Sequence, residues 1–373
     1  MIDTLAESPH RLFARLSLYT NAWASALLVQ TTGHARASEC GTSNNRKDSP
    51  RFLCIYESLS FHQPSWGVAR CKQNSCMLVN IPNFRGEESH TLYVIGNGFD
   101  LRHDIKSKYR HFCSWLNLND YESFVDDMEW FFSHLDYRQC TLWSNFENVL
   151  KTYDTQEIYD KLRHKTEDVW NEEALENSVK ELRDLTHRIR PLMKKWAQNI
   201  DIKKQPLNLF LSPQSLYMTF NYTEVLEEIY HIPESKICHI HGSVNSEEVL
   251  AGHNKTRFPY DIQAKTDEEE RPRRKIVEIM NDLDKRIEQN IKEMPFFDTL
   301  QEISNVVVIG HSMSSIDRRY FTEIRNRVLP NSKWFFSTYD GSEKMNRDSF
   351  LEESKSIYIT KPISTENVRL FKF

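Results

Sequence analysis

The chain has 373 residues, 39% of them hydrophobic and 27% charged, with a formal net charge of −5. That length allows two or three domains, or one large domain with insertions, and 21 Phe with 8 Trp give ample core material. The acidic balance argues against a nucleic-acid partner, which calls for a basic excess on one face, and no apolar stretch reaches the roughly 18 residues of a membrane span. The seven cysteines form no Cys-x-x-Cys pair, so a zinc ribbon is not indicated. Their odd count and irregular spacing fit reduced thiols in a cytoplasmic protein.

Residues 1 to 88 lack sustained periodicity and read as a poorly structured extension, outside the native fold. Met77 is an alternative start that would leave every later element intact. From residue 89 to residue 373 the chain reads as one α/β domain. Leu92–Ile95 is a short apolar, β-prone run that ends in Gly96-Asn97-Gly98 and passes into helical sequence. Residues 107–200 are mainly helical, too long for a crossover connection, and read as an insertion or cap. Pro191 is expected to start or kink a helix there. Leu216–Phe220 is a second strand, ending in Asn221-Tyr222-Thr223, with Thr223 the expected cap of a helix carrying Val225 and Leu226. A third runs from Lys236 to Ile240 and ends at His241-Gly242. Ile276, Met280, Leu283, Ile287 and Ile291 trace one face of a single amphipathic helix behind a charged, solvated segment. Val306–Ile309 is the clearest buried parallel strand, ending in Gly310-His311-Ser312, and Trp334–Tyr339 is the last strand expected.

Four strand ends therefore carry polar or glycine turns. In an open α/β sheet, ligands sit outside the carboxyl ends of the strands, so parallel neighbours would bring these turns to one edge. Asn221 offers an amide that both donates and accepts, suited to a ribose hydroxyl or a water. His241 is the candidate acid/base, since imidazole titrates near neutral pH. A metal site with His239 and His253 lacks a carboxylate or thiol at ligand spacing, so no metal is expected. Gly310-His311-Ser312 has the outline of a hydrolase nucleophile elbow, but no histidine follows His311 to serve as its base. Phosphate or ribose binding by Ser312, Ser314 and nearby N–H groups, with Asp317 at the next helix start, suits the turn better.

In order, Ile95–Leu101 with His103, Tyr109 and Phe112, then Trp143–Glu147, Thr219–Thr223 with Leu226-Glu227, Ile240–Gly242, and Ile309–Ser312 with Asp317 resemble the abortive-infection AbiH family of bacterial phage-defence proteins. More distantly the order is similar to the Sir2-like group, whose Asn and His turns serve NAD cleavage. The resemblance implies a Rossmann-like, mostly parallel sheet with a large helical insertion. It implies Asn221 and His241 as catalytic residues. Gly96, Asn97, Gly98, Asp100, Thr219, Gly242, Gly310, Ser312 and Asp317 would then be nucleotide-binding residues. The expectation is a phage-defence effector that hydrolyses NAD to nicotinamide and ADP-ribose, answers a phage-derived trigger, and uses its helical region as a lid or as a surface between copies in a homo-oligomer. A non-catalytic nucleotide sensor and a toxin of another class, such as a nuclease, are the alternatives. Without a counterpart of the sirtuin zinc ribbon, protein deacylation is not expected.

Overall fold

Thr91–Ile95 (β1) and Asn305–Ile309 (β4) are buried at every residue, and they pair in parallel from Thr91↔Asn305 to Ile95↔Ile309. Leu92, Val94, Val306 and Val308 join one apolar cluster, while Tyr93, Ile95, Val307 and Ile309 join another. Side chains alternate across a strand, so an unbroken apolar run belongs in the middle of a sheet covered on both faces. The computed structural model describes residues 81–373 apart from 133–141, 166–171, 205, 208, 263–265, 342 and 355–361. Of the expected extension over residues 1–88, residues 1–80, Met77 included, lie outside the described residues, and Ile81 and Phe84 pack against the sheet cluster of Tyr93 and Ile95.

Around the central pair stand Leu216–Thr219 (β2), Ile237–His239 (β3), Lys333–Thr338 (β5) and Val368–Lys372 (β6). All five pairings are parallel, and the order is β3-β2-β1-β4-β5-β6. This is the Rossmann order, whose direction reverses between β1 and β4, so the expected α/β class holds. The pattern did not announce β6. Three of its five residues are exposed, and it sits at the sheet edge against β5, from Trp334↔Val368 to Thr338↔Lys372.

Asn97–Arg102 (α1) follows β1, and the helices Tyr109–Leu118 (α2), Glu122–Phe132 (α3), Phe146–Thr152 (α4), Thr155–Lys165 (α5), Glu172–His187 (α6) and Ile189–Gln198 (α7) come before β2. Pro191 lies in the first turn of α7, where its missing N–H costs no hydrogen bond. Helices α2 to α7 build their own core from Phe112, Phe124, Phe146, Tyr159, Leu182 and Trp196 among others, with Trp143 from the turn before α4. The insertion therefore exists as expected, but it is not self-sufficient. Ile276, Ile279 and Met280 of Asp267–Asp282 (α9), a helix that follows β2 and β3 in the chain, complete that core.

Two local expectations need correction. The short helix Val225–Glu228 (α8) has Glu224, not Thr223, at its N-cap, and the Thr223 hydroxyl donates to Asp100 instead. The apolar series from Ile276 to Ile291 is not one helix: α9 ends at Asp282 and Ile287–Glu293 (α10) begins anew. Between them the His253 N–H donates to the Leu283 carbonyl and the Lys285 N–H to the His253 carbonyl. These bonds take the backbone groups that a continuous helix would use. Gly252 makes the approach feasible, because a Cβ there would lie 1.9 Å from the Leu283 oxygen. Ile276, Met280 and Leu283 consequently face the helical core, and Ile287 and Ile291 face the sheet.

The turns after β1 and β4 are packed backbone to backbone. Gly310 adopts φ +64°, and a Cβ on it would meet the Phe99 nitrogen at 2.4 Å. Gly341 has a similar φ of +87° but open space around it. Gly341→Ala should therefore cost only the left-handed strain, about 1–2 kcal/mol. Gly310→Ala should cost at least about 2 kcal/mol more, because a main chain must also move. Urea unfolding of the two variants checks the difference.

Candidate functional site

The carboxyl ends of β1 to β4 do meet. The Gly96 N–H donates to the Ile309 carbonyl at 2.9 Å and the Gly98 N–H to the Gly310 carbonyl at 2.7 Å. The Gly310 N–H in turn donates to the Ser337 hydroxyl at 2.9 Å. Built on Gly96 or Gly98, a Cβ would fall 2.5 Å from the His311 Cα or 2.7 Å from the Gly310 Cα. The absence of side chains at these positions is thus explained by a second turn lying against them. Asn97 is exposed, and its side-chain oxygen accepts from the Ser107 hydroxyl.

Behind this seam lies Asp100, 1% exposed. One carboxylate oxygen accepts from the Asn221 amide at 2.7 Å and the other from the Thr223 hydroxyl at 2.6 Å. The Asn221 amide also donates to the Gly96 carbonyl at 3.2 Å, and the Asn221 N–H donates to the Thr219 hydroxyl at 3.1 Å. Thr219, Asn221 and Asp100 thereby fix the β1 and β2 turns to one another. Burial pushes the Asp100 carboxyl up to about 7, against the opposing pull of Thr223 and Asn221.

The second group centres on Lys285, whose side chain is fully buried in the break between α9 and α10. Its ammonium lies 2.8 Å from Glu147 Oε1 on α4 and 3.2 Å from Asp317 Oδ1, which precedes Arg318–Arg327 (α11). Asp317 Oδ1 is also 3.3 Å from His241 Nε2, and Tyr109 donates to the same Glu147 oxygen at 2.8 Å. Burial alone would raise the Asp317 carboxyl, but Lys285 and His241 hold it far below the usual carboxylate range. Burial alone would lower Lys285, yet Asp317 and Glu147 hold it above the usual lysine value. His311 is held down to about 4 by burial, against the opposing pull of Asp317 and with smaller contributions from His241 and Lys285. The Met313 N–H donates to His311 Nδ1 at 2.8 Å, placing the remaining ring hydrogen on Nε2. Phe220 stands edge-on to both histidine rings, with centroids 5.2 and 4.2 Å away.

Two non-glycine residues beside this cluster hold left-handed backbone: Arg286, next to Lys285, at φ +50° and Met313, in the β4 turn, at φ +53°. Strain of this kind persists where the surroundings over-determine it, and it gathers at active sites. The arrangement amounts to a dry acid–base system: an imidazole aligned by an ionised carboxylate, itself fixed by a buried ammonium.

Of the residues singled out from sequence, Asp317 and His241 are in direct contact, and Asn221 touches Asp100. Gly242, at φ +77°, turns the chain after His241 and has no room for a Cβ beside the Glu248 carbonyl. Ser312 is exposed at the β4 turn, where its carbonyl accepts from the Asn346 amide at 3.0 Å. His239 does not share a site with His241. Its ring contacts the Asn221 carbonyl and Glu227, whereas His253 donates from Nε2 to the Met280 carbonyl and accepts the Lys255 N–H on Nδ1. Lys285 went unnoticed, because a lysine in the sequence Asn-Asp-Leu-Asp-Lys-Arg gives no sign of burial. Tyr109 and Glu147 were visible only as parts of motifs.

Residues 92–338 match the family model described as bacteriophage abortive infection AbiH. No curated protein and no solved structure matches the chain. No helix among the described residues is long and apolar enough to cross a membrane.

Two measurements bear on this geometry. Lys285→Met should destabilise the fold by about 3–5 kcal/mol, since it strands the buried Asp317 and the half-buried Glu147, and adding Asp317→Asn should recover part of that loss in a chemical-denaturation cycle. An acid whose carboxyl is raised on folding binds its proton more tightly folded than unfolded. Asp100 should therefore subtract stability as pH rises from about 4, its unfolded value, to about 7, and add no further loss above. A carbon-13 titration of its carboxyl should show a midpoint near 7.

Proposed function

This chain belongs to the bacteriophage abortive infection AbiH family, and from that premise we propose that it is a cytoplasmic phage-defence effector that hydrolyses NAD to nicotinamide and ADP-ribose when a phage-derived signal triggers it. The observation that carries the reading is that Asn221, His241 and Asp317 all stand at the carboxyl edge of a Rossmann-order sheet, with Lys285 buried against His241 and Asp317. Dinucleotides are bound at that edge in sheets of this order.

In the proposed reaction water attacks the ribose C1′, the C1′–N bond breaks, and nicotinamide leaves with the bonding pair. His241 Nε2 lies between Asp317 Oδ1, at 3.3 Å, and the Lys285 ammonium, at 3.4 Å; with its Nε2–H directed to Asp317, His241 takes the proton of the attacking water on Nδ1. A positioned base of this kind contributes on the order of 10²–10⁴-fold. Asn221 donates from its nitrogen into the fold, which leaves its side-chain oxygen to accept from a ribose hydroxyl or the water. Phe220 and Tyr320 wall His241 and exclude bulk water from the imidazole. The helices bearing Tyr109 and Glu147 form the other wall, in the role of a lid.

Incubation of the purified chain with NAD, with and without phage extract, should release nicotinamide. His241→Ala should lower the rate by about 10²-fold or more, and Asn221→Ala by about 10-fold or more, without loss of the folded state by circular dichroism. Retained phage protection with no release under any trigger overturns the enzymatic reading in favour of a nucleotide sensor. Turnover that survives both substitutions overturns the site assignment.

A further inference from the structure

We infer that Lys151 and Lys255, gathered at the turn after β4, form the subsite for the phosphates of the substrate, and that the Gly96–Gly98 turn is not that subsite. This rests on the sheet edge being the substrate site, and it names the part of the substrate held there. The glycine turn is poorly supplied with donors: the N–H groups of Gly96, Gly98 and Phe99 already donate to Ile309, Gly310 and Gly96 carbonyls. The helix it opens, α1, has only six residues.

The β4 turn differs. Lys151 is one helical turn beyond Glu147 on α4, so both project from the same face. Glu147 reaches Lys285 in the buried cluster, while Lys151 donates to the Ser315 hydroxyl at 2.9 Å, two residues before Asp317. Lys151 is thus at the rim of that cluster. Lys255 arrives from a different segment, anchored by its neighbour Asn254, whose amide donates to the Ser315 and Ile316 carbonyls at 2.9 and 2.8 Å.

Among the described residues neither lysine lies within 4.0 Å of a carboxylate, although the chain as a whole is acidic. Burial lowers Lys151, and the positive charges of Arg318 and Lys255 lower it further. Of these like charges held together beside an acid–base centre only Arg318 has a carboxylate partner, Glu353, and the two lysines are relieved by an anionic ligand. A phosphate group matches in charge and in its need for several donors, here two ammonium groups and the Ser315 hydroxyl that Lys151 contacts.

Isothermal titration of the full chain with ADP-ribose, inorganic pyrophosphate and adenosine tests this. The wild type should bind ADP-ribose and pyrophosphate. Lys151→Gln should weaken both roughly tenfold and exposed Lys255→Gln roughly threefold, while Lys151→Arg stays within about threefold and adenosine is bound equally by all. Binding of ADP-ribose much tighter than pyrophosphate marks the phosphate as a nucleotide's, and equal binding marks a free phosphate compound; either keeps the subsite. Unchanged affinities in both glutamine variants overturn it. So does equal weakening of adenosine, or a wild type that binds neither phosphate probe. Lysine-dependent pyrophosphate binding with NAD left intact would remove the hydrolytic reading and leave this one standing.

Discussion

A buried ammonium is the constraint around which this molecule is organised. Removing the Lys285 charge from water is costly by several kcal/mol unless well-placed partners compensate. Its two carboxylates come from different parts of the fold: Glu147 from the helical core and Asp317 from the turn that leaves the central strand. The cation therefore ties the helical region to the sheet edge, and it does so at the place where the imidazole of His241 is aligned. Both carboxylates contact the one ammonium, so each depends on the other's geometry. Hydrophobic packing sets where the two cores lie; the ion cluster sets how their facing surfaces register.

Asp100 and Asp317 show how differently one residue type behaves a short distance apart. Asp100 is surrounded by neutral donors in a dry pocket, and burial keeps its proton on to near neutrality. Asp317 is just as enclosed but faces Lys285 and His241, and it stays ionised. Two carboxyl groups whose surroundings drive their protonation apart are a recurring sign of divided roles at active sites. Here the division is between a carboxyl that joins two turns and a carboxylate that directs an imidazole.

Much of the scaffold was legible in the chain because parallel strands buried on both faces announce themselves. Leu92–Ile95 and Val306–Ile309 could hardly be anything else, and their polar ends pointed to the sheet edge. The strand β6 was not legible: an edge strand with Arg369, Leu370 and Lys372 exposed lacks the alternation that marks a half-buried one. Lys285 was hidden for another reason. The periodicity from Ile276 to Ile291 is real, but the docking of Gly252 and His253 divides it, and no local pattern encodes a contact made by a distant segment. The glycines at 96 and 98 were expected to bind a nucleotide, and what lies against them is the turn at Gly310 and His311. Sequence alone does not distinguish a ligand from the protein's own backbone, and here the neighbour is Gly310.

The division of the helical core has a consequence for synthesis of the chain. Helices α2 to α7 are complete once residue 198 has been made, yet Ile276, Ile279, Met280 and Leu283 belong to the same core. A nascent chain ending before about residue 283 leaves part of that apolar surface open to water. Lys285 follows only two residues later, and Asp317 and the central strand β4 later still. The ribosome therefore delivers the core's last helix, the buried cation and the strand that receives it in one late stretch, so no shorter fragment carries an assembled acid–base cluster.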